Sequence, residues 1–96
     1  MSPKNKKKLE RIRIKLDKLD NKLLALIKYR TFLVKEVLKL KEFKKEIVDQ
    51  KRINFILKKI KVKSKKLEID PKITNRIWKN MIWSYIDFER RNFKRK

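Results

Sequence analysis

Leu9, Ile12, Leu16, Leu19, Leu23, Leu26, Leu33, Val37 and Leu40 recur at alternating spacings of three and four residues. This is a heptad seam, and neither Gly nor Pro interrupts it before about Lys41. A helix over residues 9–41 is about 50 Å long at 1.5 Å per residue. A compact domain of 96 residues has a radius of gyration of only about 12–13 Å. One chain cannot cover such a helix along its whole length. The seam therefore calls for a partner, and a second copy of the chain is the simplest one. One seam position breaks the rule: residue 30 is Arg where an aliphatic side chain is due.

The rest of the chain reads as two more helices. Residues 1–8 (MSPKNKKK) form a basic lead-in that is expected to fray. Glu42–Glu46 breaks the periodicity and reads as a turn. A second helix is expected over about Ile47–Val62, with Ile53, Ile56, Leu57 and Ile60 as its apolar stripe. Lys63–Ile69 reads as a connection. Asp70-Pro71 is a strong helix start, Asp as N-cap and Pro at the first helical position. The third helix is expected over about Pro71–Phe93, and the basic tail Arg90, Arg91, Lys94, Arg95, Lys96 suits its C-terminal end. The expected fold is an all-α, three-helix chain with a long first helix, forming one domain over 9–96.

Composition removes whole classes of chemistry. There is no Cys and no His, so disulfides, thiolate or histidine metal sites and cysteine or histidine catalysts are excluded. There is no Gly, which removes P-loops and Rossmann turns. No apolar run approaches the ~20 residues that span a bilayer, and the basic start has no signal-peptide pattern, so a cytoplasmic protein is expected. The formal net charge is +21, from 32 Lys+Arg against 11 Asp+Glu. Lys, Ile and Asn are over-used and Ala25 is the lone alanine, a pattern that biased codon composition alone produces. Such a charge nonetheless attracts anions from small polyanions to RNA.

Polar residues on apolar faces are where function is expected to show. Arg30 lies on the seam. Asp49 precedes Ile53 by four residues and so falls on the inner stripe of the second helix, or else caps its N-terminus. On the third helix Trp78, Ile82, Tyr85 and Glu89 fall within roughly 60° of one another at 100° per residue. Lys41 follows Arg30 by three helical turns and projects to nearly the same side. Arg13 is rotated well away from Arg30, so the two converge only between chains of a crossed or antiparallel dimer. Arg52 follows Asp49 by one turn and can orient or neutralise it. Taken singly, each of these charges has an ordinary reading as an ion pair, cap or surface charge. Jointly, several inward cations with few inward carboxylates leave costly unpaired charge, which a bound small dianion would resolve. Arginine suits carboxylates because its guanidinium is a planar, bidentate fork.

At these residues the chain resembles the small all-helical chorismate mutases, intertwined dimers of three-helix chains. The resemblance covers about residues 9–93 and is sharpest in LDKLDNKLLALIKYRTFLVKEVLKLK, residues 16–41. It implies that Arg13 reaches across the homodimer interface into the partner's site. It implies that Arg30 and Lys41 bind the carboxylates and ether oxygen of a small dicarboxylate, chorismate, and that Asp49 and Arg52 are the helix-two site residues. It places Glu89 against the breaking ether oxygen and Val37, Ile82 and Ile86 on the apolar lining. In many of these mutases a Glu that holds the ring hydroxyl follows the helix-two arginine; here the residue is Ile53. The segment MIWSYIDFERRNF, with Tyr85 and Ile86, is also similar to the isochorismate-pyruvate lyases, which share the fold, lack that Glu and form salicylate. The lyases and many mutases have Gln at the position of Glu89.

The mutase reaction that the resemblance implies is a unimolecular pericyclic rearrangement in aromatic amino-acid biosynthesis. It needs no nucleophile, cofactor or metal. The expected work is to hold a flexible dianion compact and to stabilise negative charge growing on the ether oxygen. Lys41 donates to that oxygen, and Glu89 does so only when protonated. Two other classes predict different features. A basic helical nucleic-acid-binding module needs exposed aromatics interleaved with cations; Trp78, Tyr85 and Phe93 instead share the inner face, which argues against it. A coiled-coil dimer without chemistry would use Arg30 only to set register.

Overall fold

A computed structural model describes residues 1–95; Lys96, counted above in the basic tail, lies outside the described residues. Three helices follow in order, α1 over Pro3–Leu40, α2 over Gln50–Lys66 and α3 over Pro71–Asn92. A short 3₁₀ turn, Lys44–Glu46, interrupts the segment between α1 and α2. No strand occurs among the described residues, as the sequence leads one to expect. The chain divides into two compact units, Met1–Leu33 and Val34–Lys96.

The first unit is a stretch of α1. The helix starts at Pro3 rather than near Leu9, so the basic lead-in is ordered. Ser2-Pro3 is the same start signal as Asp70-Pro71: the Asn5 backbone N–H donates to Ser2 Oγ at 3.2 Å, and proline fills the first helical position. No residue of α1 is buried. Ile12, Leu16, Leu19, Leu23, Leu26 and Leu33 are between 44 and 63 % exposed. The seam is present, and within one chain it is open to water.

The second unit holds the last turns of α1, the connecting segment, α2 and α3. Its core is four isoleucines, Ile47, Ile53, Ile82 and Ile86, with Leu38, Val48, Ile56, Leu57 and Phe93 packed against them. α2 starts three residues later than the apolar pattern suggests, because Asp49 is its N-cap and accepts the Arg52 backbone N–H at 3.0 Å. Val48 before the cap and Ile53 one turn after it both join the core, a hydrophobic staple that fixes how the chain enters the helix. The helix also runs four residues past Val62. There Ser64 faces inward, 3 % exposed, donating to the Ile60 carbonyl and sharing a 2.7 Å hydrogen bond with Thr74 of α3. A buried hydroxyl pair thus closes the α2–α3 packing where the apolar stripe ends.

α2 stops in a Schellman motif. The Ile69 N–H donates to the Ser64 carbonyl at 2.9 Å and the Glu68 N–H to the Lys65 carbonyl at 3.1 Å. The motif needs a left-handed residue, and in a chain without glycine Glu68 fills it at φ 58°. A side chain in that region costs about 1–2 kcal/mol. Glu68→Gly is therefore expected to raise stability by up to about 1 kcal/mol, net of glycine's larger unfolded-state entropy. Thermal unfolding checks this, and a lowered Tm would contradict it.

Candidate active site

Lys41 is the first residue beyond α1, held there by its backbone N–H, which donates to the Leu38 carbonyl at 3.2 Å. Glu89 stands in the last turn of α3, one turn beyond Tyr85 and Ile86. Lys41 Nζ donates to Glu89 Oε2 at 2.6 Å, joining residues 48 apart in sequence. The two side chains are only 16 % and 10 % exposed. Water is largely excluded, so the attraction is stronger than in an exposed pair. Two other ion pairs among the described residues, Lys39–Glu36 and Arg91–Asp87, join near neighbours on one helix and are well exposed.

The ammonium carries three hydrogens and gives one to Glu89. Lys41 also lines a shallow cleft of about 460 Å³, together with Glu46, Val48, Asp49, Gln50 and Lys51. Here the connecting segment and the first turn of α2 meet the end of α1. A cationic donor, a carboxyl group and an open cleft therefore occupy one place.

The residues singled out from the sequence fall into groups. Lys41 and Glu89 are brought together directly, and Lys41 and Asp49 line one cleft. Asp49 is exposed and turned toward its own helix as the cap. Arg52 touches Asp49 through its backbone, while its guanidinium lies 5.3 Å from the centroid of the Phe55 ring. Ile53, Ile82 and Ile86 are core residues, Tyr85 is half-buried and Val37 is exposed. Arg13 and Arg30 belong to the first unit, Arg13 exposed and Arg30 half-buried. Gln50 and Lys51 line the cleft without having been singled out. Their signal was the Asp49 cap, which puts them in the first turn of α2; reading the helix from Ile47 hides it.

Among the described residues no helix is long and apolar enough to cross a membrane. No curated protein and no solved structure matches the chain. The family model for chorismate mutase type II matches residues 12–90. That span takes in all three helices and both members of the Lys41–Glu89 pair, and the all-helical architecture agrees with it. The chain belongs to the chorismate mutase type II family.

Proposed function

We propose that the chain is a cytoplasmic chorismate mutase, rearranging chorismate to prephenate as an intertwined homodimer. The secluded Lys41–Glu89 pair supports this reading most, because it ties a cleft-lining cationic donor to a carboxyl group in a protein of this family. Arg30 and the partner's Arg13 clamp the two carboxylates and hold the substrate compact. Lys41 donates to the ether oxygen as its negative charge grows, keeping a second hydrogen on Glu89. Glu89 donates from the other side in its protonated form. Val37, Ile82, Tyr85 and Ile86 supply apolar walls, and Asp49 and Arg52 bound the site at the start of α2. The exposed seam of the first unit supports the dimer, since a second copy would cover it.

A second reading rests on Ile53. It is 7 % exposed and part of the core, so it offers no carboxylate to a ring hydroxyl. That favours an isochorismate-pyruvate lyase on the same fold.

Incubation with chorismate and, separately, with isochorismate distinguishes the two. Prephenate from chorismate is expected; salicylate and pyruvate from isochorismate alone would assign the lyase, and no product from either would overturn both. Lys41→Ala and Arg30→Ala should each lower kcat/KM by an amount worth about 3–4 kcal/mol, as for loss of an oxyanion donor, with helicity by circular dichroism little changed. Survival of activity in either variant would remove that residue from the site.

Glu89→Gln should keep activity, because the amide N–H can donate where the carboxyl group would. A folded but inactive Glu89→Gln would remove the donor role. The shared site is checked by mixing Arg13→Ala and Lys41→Ala chains, each inactive alone. Random pairing makes half the dimers mixed, each with one intact site, so about a quarter of wild-type activity should return. No recovery in a mixture that forms heterodimers would confine the site to one chain.

A further inference from the structure

The outer face of α2 is a second charged surface of the molecule. The helix carries eight Lys and Arg residues and no Asp or Glu. All eight are exposed, and none takes part in an ion pair among the described residues. The inward stripe of Ile53, Ile56, Leu57, Ile60 and Ser64 fixes which way the rest must point. At 100° per residue Lys51, Arg52, Lys58, Lys59 and Lys66 fall within about 60° of Phe55, opposite that stripe. The cations therefore form one ridge, about 22 Å long at 1.5 Å per residue.

Phe55 stands in the middle of this ridge and is 55 % exposed. The Arg52 guanidinium carbon lies 5.3 Å and the Lys59 ammonium 5.9 Å from its ring centroid. Val62, further along the same face, is 47 % exposed. An aromatic ring flanked by unpaired cations is the arrangement whose absence among Trp78, Tyr85 and Phe93 argued against nucleic acid. It occurs here at a position that argument did not include.

We propose that the Phe55-centred ridge of α2 binds single-stranded nucleic acid. Its phosphates meet the cations, and an unstacked base lies against Phe55. A duplex hides its base faces, and a sulfated polysaccharide or an acidic peptide of Asp and Glu has no base to stack; only a single strand uses both halves of the arrangement. The inference is independent of the reaction at Lys41 and Glu89, and Arg52, which borders that site, is left unchanged in the test.

The test is fluorescence anisotropy with labelled oligouridylate and oligothymidylate, with heparin and anionic vesicles as competitors. Replacing Lys58, Lys59 and Lys66 together by Gln should weaken binding at least tenfold at about 50 mM salt. The slope of log K against log salt should fall by about 2, at about 0.7 per lost phosphate contact. Replacing Lys4, Lys6 and Lys8 by Gln removes the same charge from the start of α1 and should leave affinity within about twofold. Phe55→Ala should cost about tenfold on the oligonucleotides and nothing on heparin. Preference between the two oligonucleotides tells RNA from DNA. Equal losses from the two lysine triples would show that net charge alone attracts the strand, and would overturn the proposal. So would an unchanged affinity in Phe55→Ala, or heparin or vesicles bound through the same lysines as tightly as the oligonucleotides. All four substituted α2 positions are exposed, so circular dichroism should report folded variants.

Discussion

Lys41 and Glu89 meet across 48 residues of sequence, and the organisation of the second unit converges on that contact. The end of α1 must deliver the ammonium, and the last turn of α3 must deliver the carboxyl group. Neither charge is stable so far from water alone: breaking a buried pair costs about 3–5 kcal/mol, because it strands the partner. The surrounding core is small, four isoleucines with partly exposed neighbours. The position of α1's end against α3 therefore rests on a polar contact as well as on apolar packing. In the proposed reaction the same contact keeps the lysine aimed where charge develops.

The two faces of α2 separate two kinds of work. Its inner face supplies Ile53 to the core and Ser64 to the hydroxyl pair with Thr74. Its outer face carries cations and no carboxylate. Mutual repulsion along that ridge weakens the compact state, and the staple, the Asp49 cap and the Schellman end hold the helix in spite of it. Such a ridge is preorganised toward an anion, whatever its evolutionary origin. Asp49 illustrates how closely the two faces are joined, since it caps the helix and also lines the cleft beside Lys41.

The seam of α1 imposes the remaining constraint. Six aliphatic side chains of the seam in the first unit stand 44–63 % exposed, and apolar surface in water is unfavourable in proportion to its area. A second copy of the chain is the cover consistent with the proposed shared site. Arg30 is half-buried within this otherwise aliphatic row, so a second copy covering the seam, as proposed, would also have to accommodate a guanidinium.

Periodicity and caps alone determined three helices, their order, the end of α1 and both ends of α3. Asp70-Pro71 marked the start of α3 because capping is a local exchange between a side chain and the next turn's N–H groups. Ser2-Pro3 carried the same message, outweighed by the run of lysines behind it. Glu89 was legible as a polar residue on an apolar face, and Lys41 as a cation at the end of a seam. Their contact was not legible, since nothing local specifies which side chain from 48 residues away will be the partner. The inward turn of Ser64 also depended on tertiary packing, which lets two paired hydroxyls take the place of an apolar contact. Phe55 lies opposite an apolar stripe that the sequence already shows, but only the folded arrangement set Arg52 and Lys59 over its ring, because side-chain rotamers are not fixed by helical spacing.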